Sequence, residues 1–152
     1  MPRAPVQPDH GSYLMPRFEH ATVSDAMHPG LLFCEPDATL TDVARLMASH
    51  HVHCIAVMAP SAGLPDEKAV WAVVTDVDLL RAGLHAGAEG TASTIAAQAP
   101  VTVELGTPLR EAGELMLSHS SKHLVVIDPR LGRPVGILST LDIAGVLAWG
   151  EA

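Results

Sequence analysis

Cysteine, lysine and aromatic residues are all scarce in this chain. Cys34 and Cys54 are its two cysteines in 152 residues, too few for a disulfide framework and suited to a reducing cytosol. Nine Lys and Arg stand against 17 Asp and Glu, a formal net charge of −8. That balance repels nucleic-acid phosphates and anionic lipid at long range, so neither DNA nor membrane is an expected partner. With Lys68 and Lys122 the only lysines, an anionic ligand has to be held by local geometry. Aromatics make up 3%, and Trp71 and Trp149, isolated and without basic neighbours, read as packing residues rather than base-stacking platforms. Long apolar runs are missing: Leu124 to Ile127 falls far short of the roughly 20 residues of a membrane span. Met1-Pro2-Arg3-Ala4-Pro5 has no apolar h-region, so no signal peptide is expected and the expected location is cytoplasmic. What is present is an ordinary globular apolar fraction, 48%, with 17% charged residues, which excludes disorder throughout.

Residues 1–20, with Pro2, Pro5, Pro8, Pro16 and Gly11 and no apolar period, read as an extended arm without chemistry. The remainder is duplicated. A shift of 69 positions lays Thr22-Val23-Ser24 on Thr91-Ala92-Ser93, Leu46-Met47 on Leu115-Met116 and Ser49-His50 on Ser118-His119. Beyond Val57 the shift becomes 64, setting Asp78 on Asp142 and leaving five extra residues in the first copy's Ala59 to Lys68 loop. Insertions of this kind belong in surface turns. The repeats span 21–82 and 91–149, with a Gly- and Ala-rich linker over 83–90.

Each copy reads as a helical turn (Val23 to Met27), a brief strand (Leu31 to Cys34, matched by Val101 to Val103), a long helix, two short strands and a closing helix. In the long helix Leu40, Val43, Leu46 and Met47, matched by Leu109, Ala112, Leu115 and Met116, recur at spacings of three and four and build one apolar stripe. Thr39 with Asp42 predicts a capping box, and Thr107-Pro108 marks the corresponding start. Ile55 to Met58 with Ala69 to Val74, and Leu124 to Ile127 with Val135 to Leu138, predict hairpins, the second around Asp128 to Gly132. The expected fold is α/β (α+β): two pseudo-twofold-related β-α-β-β-α repeats packed sheet to sheet. Neither is large enough to bury its apolar face alone, and ligand clefts are expected between them.

The sharpest local signal occurs twice, as Thr75-Asp76-Val77-Asp78 and Ser139-Thr140-Leu141-Asp142, after a strand and before a helix. A capping box explains each. The same geometry suits a nucleotide, because free helix-start N–H groups attract phosphate and a nearby Asp can accept from ribose hydroxyls.

The order of elements, Thr22-Val23-Ser24-Asp25-Ala26-Met27, Glu35-Pro36-Asp37-Ala38-Thr39-Leu40 and the two Thr/Ser-x-x-Asp motifs resemble a tandem pair of cystathionine-β-synthase-type (CBS) domains, a Bateman module, over about residues 20 to 149. The resemblance implies a regulatory adenine-nucleotide sensor. Ribose would sit on Asp78 or Asp142, and a hydroxyl of Thr75 or Ser139 would lie near ribose or phosphate. Adenine would be walled by Leu32 and Ile55 in one cleft and by Val101 and Leu124 in the other. Lys122 and His123 match the family's basic pair before the third strand, with His53 and Cys54 at the first copy's equivalent place, so the second copy is expected to contact phosphate better. AMP, ADP, ATP or S-adenosylmethionine is the implied ligand, with no catalytic cofactor. A disc-like homodimer formed through helices is implied, with the output in an unknown protein target.

Departures from the family pattern are Ala56 and Val125 where Pro often stands, and Val77 and Leu141 where a basic residue often precedes the Asp. Asp76 adds negative charge beside the first cleft and disfavours a polyphosphate there. Two other classes compete with the sensor: a ligand-free scaffold whose motifs only cap helices, and a metal-binding protein using His50-His51-x-His53-Cys54. Against metal, the second copy keeps only His119 and His123, and a helix C-terminus favours histidine without any ion. No enzyme is expected, since both cysteines fall in strands and no phosphate loop, nucleophile elbow or zinc-protease helix occurs.

Overall fold

The two apolar stripes become helices where their spacing puts them. A computed structural model of the chain describes residues 14–61, 64–86, 89–96 and 99–151. Its elements run α1 (Val23–Ala26), β1 (His28–Pro29), β2 (Phe33–Cys34), α2 (Leu40–His50), β3 (Cys54–Ser61), β4 (Leu64–Thr75) and α3 (Asp76–Ala86). The second half follows with α4 (Ala92–Ile95), β5 (Thr102–Glu104), α5 (Leu109–Ser118), β6 (His123–Asp128), β7 (Arg133–Ser139) and α6 (Thr140–Trp149). Two mixed sheets result, ordered β2-β3-β4 and β1-β7-β6-β5, and they meet along β4 and β7. The duplication is visible in the register: β2 pairs parallel to β3 with Phe33 opposite Ala56, and β5 pairs parallel to β6 with Thr102 opposite Val125.

Two cores form, one under each sheet. Val43, Met47, Ile55, Val57 and Val74 build the first, and Leu109, Met116, Leu124, Val126 and Leu138 the second. The opening turn of each repeat is exchanged. Val23 of α1 is buried in the second core, and Ala92 of α4 in the first. Val23 N donates to Thr107 O, and the mirror bond runs from Ala92 N to Ala38 O, both at 2.9 Å. β1 likewise leaves its own half to pair antiparallel with β7, His28 opposite Ile137. Gly136 makes that approach possible, because a Cβ there would stand 2.3 Å from His28 O.

Several expectations are corrected. The stretch Ala59 to Lys68 is strand for most of its length, since β3 continues to Ser61 and β4 begins at Leu64: inserted residues lengthen the hairpin instead of looping out. The α3 helix continues to Ala86, into the stretch read as linker, of which residues 87–88 lie outside the described residues. Of the arm, residues 1–13 lie outside the description, while Met15 and Phe18 pack on the second core and Glu151 N donates to Met15 O. Pro108 is itself the N-cap of α5 and offers no side-chain cap, whereas Thr39 accepts from Asp42 N at 3.2 Å. Trp71, on β4, is half exposed, and Trp149, in the last turn of α6, lays its ring over Gly145 with 38% of its surface open, so both pack at the surface and neither enters a core.

Candidate functional site

Each hairpin's second strand enters its helix through the motif singled out in the sequence, and both motifs form full reciprocal caps. Thr75 Oγ1 accepts from Asp78 N at 3.2 Å, while Asp78 Oδ2 accepts from Thr75 N at 2.9 Å and Oγ1 at 3.0 Å. Ser139 Oγ accepts from Asp142 N at 3.2 Å, and Asp142 Oδ2 accepts from Ser139 N at 2.7 Å and Oγ at 2.9 Å. In each carboxylate one oxygen is committed to the cap. The other oxygen distinguishes them. Asp142 Oδ1 accepts from His28 Nδ1 at 2.7 Å, a partner that the exchanged β1 strand brings in. Among the described residues, Asp78 Oδ1 faces the looser Arg81 guanidinium at 3.6 Å.

A cleft of about 310 Å³ opens beside Asp78. One wall is Val73, Thr75, Asp76, Val77, Asp78 and Arg81 from the first half, and the other is Ala99, Pro100, Val101 and Ser120 to His123 from the second. Lys122, His123 and Val101 therefore join Thr75 and Asp78, and the expectation that Lys122 favours the second copy is corrected: the pseudo-twofold sets the strand start of one half against the helix start of the other. Ile55 and Leu124 are fully buried in the two cores and wall no cleft. Strand alternation points them at the helices, leaving Ala56 and Val125 on the opposite face. Leu32 packs half-buried on the first core. The apolar cleft surface comes instead from Val73, Val77, Pro100 and Val101.

His53 lies at the place mirrored by Lys122. Asp76 N donates to His53 O and Thr140 N to Lys122 O, each at 3.0 Å. The His53 ring donates through Nδ1 to Asp76 Oδ2 at 2.8 Å. That bond, more than any other influence, holds the Asp76 carboxyl below its ordinary range, helped by the Val77 N–H. Burial lowers the basicity of His123 below its usual 6.5, and neighbouring His53 adds to this, so His123 is neutral near pH 7. Both thiols are raised: Cys34 by burial and then Glu35, and Cys54 to about 12 by burial and then Asp76. Neither is a thiolate at neutral pH.

The histidine run is accounted for by helix ends. His50 Nδ1 bonds Leu46 O and His119 Nδ1 bonds Leu115 O, each at 3.0 Å. A carbonyl only accepts, so Nδ1 carries the proton in both rings. Residue 51 takes the left-handed conformation that ends α2. Among the described residues no group of three or more His, Cys, Asp or Glu is arranged to hold a metal ion, and no helix is long and apolar enough to cross a membrane.

Arg81, Val73 and Pro100 line the cleft without having been singled out in the sequence. Arg81 carried a signal, its three-residue spacing from Asp78 on a helix. The strand and loop positions carried none, because their role depends on which half they face.

A family model for the CBS domain matches residues 23–85 and 92–148. Solved structures share the fold. Hypoxic Response Protein I, solved with two coordinated zinc ions, superposes with TM-score 0.66 at 26% identity over 82% of this chain and 97% of its own. CBSX2 in complex with AMP gives 0.64 at 25% identity over 81% of this chain and 93% of its own. The CBS domain pair of protein MJ0100, in complex with 5-methylthioadenosine and S-adenosyl-L-methionine, gives 0.73 over 84% of this chain and 96% of its own, its 16% identity a likeness of fold alone. No curated protein matches the chain's sequence.

Proposed function

Because the chain belongs to the CBS domain family, with two such domains in tandem, we propose that it is a regulatory protein that binds an adenosyl compound between its halves. The single observation carrying this reading is the cleft that joins Thr75 and Asp78 of one half to Val101 and Lys122 of the other. There Asp78 Oδ1 is the carboxylate oxygen left for a ribose diol, Val73 and Val101 offer apolar surface to a base, and Lys122 offers a cation to a 5′ group. The bound AMP of CBSX2 supports the ligand class.

The Ser139/Asp142 side is read differently. Its acid is already engaged by His28, and it acts as a structural cap. This favours one occupied cleft per chain, and it is also the observation behind the second reading, a ligand-free scaffold in which both motifs only cap helices. A metal-binding role has a zinc-holding structural neighbour behind it, but His50 and His53 are each turned to another partner.

A ligand spanning the seam would bias one orientation of the halves, and a partner protein would respond if it contacts the orientations differently. The chain acts by conformation, without catalysis. Self-association through helices is supported by exposed Leu80 and Leu84 on α3 and Leu141 and Leu147 on α6. Thermal melting with AMP, ADP, ATP and S-adenosylmethionine tests the reading. A ligand at about 100 times its Kd stabilises by roughly 2.7 kcal/mol, or about 5–11 °C for a chain of this size. No shift with any of the four leaves the scaffold.

A further inference from the structure

Resting on the adenosyl reading above, we infer that Asp76 is a charge filter: the cleft takes adenosine compounds whose 5′ group carries no more than one phosphate and turns away di- and triphosphates. The charged side chains lining the cleft are Asp76, Asp78, Arg81 and Lys122, two of each sign. Arg81 is turned to Asp78 at 3.6 Å, which leaves Lys122 as the cation for a phosphate. Asp76 is fixed rather than free to swing aside, since its Oδ1 accepts from Val77 N at 2.9 Å and its Oδ2 from His53 at 2.8 Å. Its carboxyl is held ionised well below neutral pH, and His123, its basicity lowered by burial, adds no charge near pH 7.

The fold does not require an acid at this position. The mirror residue is Thr140, whose backbone N–H makes the same bond that Asp76 makes. The carboxylate is therefore an addition specific to this cleft. A first phosphate can pair with Lys122; each further one brings about one more negative charge toward Asp76. At about 6 Å and an effective dielectric constant of about 40, that repulsion weakens binding on the order of tenfold per phosphate.

Calorimetric titration of the full chain with adenosine, AMP, ADP and ATP, with EDTA present to remove bridging cations, tests this. In the unaltered protein affinity falls about tenfold from AMP to ADP and again to ATP. In Asp76→Thr, which copies the mirror residue and keeps the helix start, that fall flattens. ATP binding as tightly as AMP in the unaltered protein, or an undiminished fall in Asp76→Thr, overturns the charge filter while leaving the adenosyl reading standing. If none of the four binds, the filter is overturned, and the adenosyl reading falls with it when S-adenosylmethionine produces no binding heat either.

Discussion

Removing Asp78 and Asp142 in turn separates the role of a cap from the role of a ligand contact. Asp78→Ala deletes the oxygen that accepts from Thr75 N and Oγ1 at 2.9 and 3.0 Å. Asp142→Ala deletes the one accepting from Ser139 N and Oγ at 2.7 and 2.9 Å. Either loss costs about 1 kcal/mol, the usual worth of a helix cap, or about 2–4 °C in Tm for a chain of this size. Asp142→Ala also breaks the contact with His28, but the His28 side chain is 80% exposed, which limits that contribution to less than about 1 kcal/mol. The unliganded variants should therefore differ little, with Asp142→Ala the weaker of the two. Their response to ligand should differ completely: the AMP-induced shift disappears in Asp78→Ala and persists in Asp142→Ala. Differential scanning fluorimetry with and without AMP reads both quantities in one experiment. Loss of the shift in Asp142→Ala with retention in Asp78→Ala refutes the assignment of the ligand to the Thr75/Asp78 cleft.

Acid should weaken the fold through His123. Its folded pKa lies below the ordinary 6.5 because of burial and then His53, so the unfolded chain takes up a proton first. Stability is full above about pH 6.5 and declines as pH falls from there toward the folded value. His123→Gln should flatten the fall in urea midpoint between pH 7 and 5, and an unchanged slope there removes His123 as its source. Gly136→Ala should destabilise by about 1–3 kcal/mol through overpacking, because its Cβ would meet His28 O at 2.3 Å. Gly113→Ala in α5, whose Cβ would lie an ordinary 3.8 Å from Ile143, should stabilise by about 0.5–1 kcal/mol. Chemical unfolding of the pair checks the contrast, and equal effects would mean that β1 is not held against β7 at Gly136.

Legibility in the sequence followed the range of the interaction. The stripes of α2 and α5, the reciprocal caps at Thr75 and Ser139 and the turn at Asp128 rest on contacts within about five residues, and the spacing of Thr75 and Asp78 or Asp128 and Gly132 contains them. The 69-residue shift also held in space, down to Phe33 opposite Ala56 and Thr102 opposite Val125. What a repeat cannot encode is which copy of an element answers which. Val23 has the same apolar signal whether it is buried in its own half or in the other; it enters the second core, beside Leu109. That exchange carries β1 onto β7 and brings His28 to Asp142; the aligned position of the other copy is Ala97, without a polar side chain, so the two acids that align in sequence end with different partners. Lys122 shows the same thing from the cleft's side: alignment sets it in the repeat of Asp142, and the pseudo-twofold delivers it to the cleft of Asp78. Duplication thus made two sites alike in their motifs, the exchange of opening segments runs both ways, and the difference enters through His28, which stands where the other copy has Ala97. A chain with the opening segments unexchanged would return His28 to its own half and free Asp142. The asymmetry between the two acids therefore needs both the topology, which delivers residue 28 across the seam, and the sequence, which makes that residue a histidine where the other copy has Ala97.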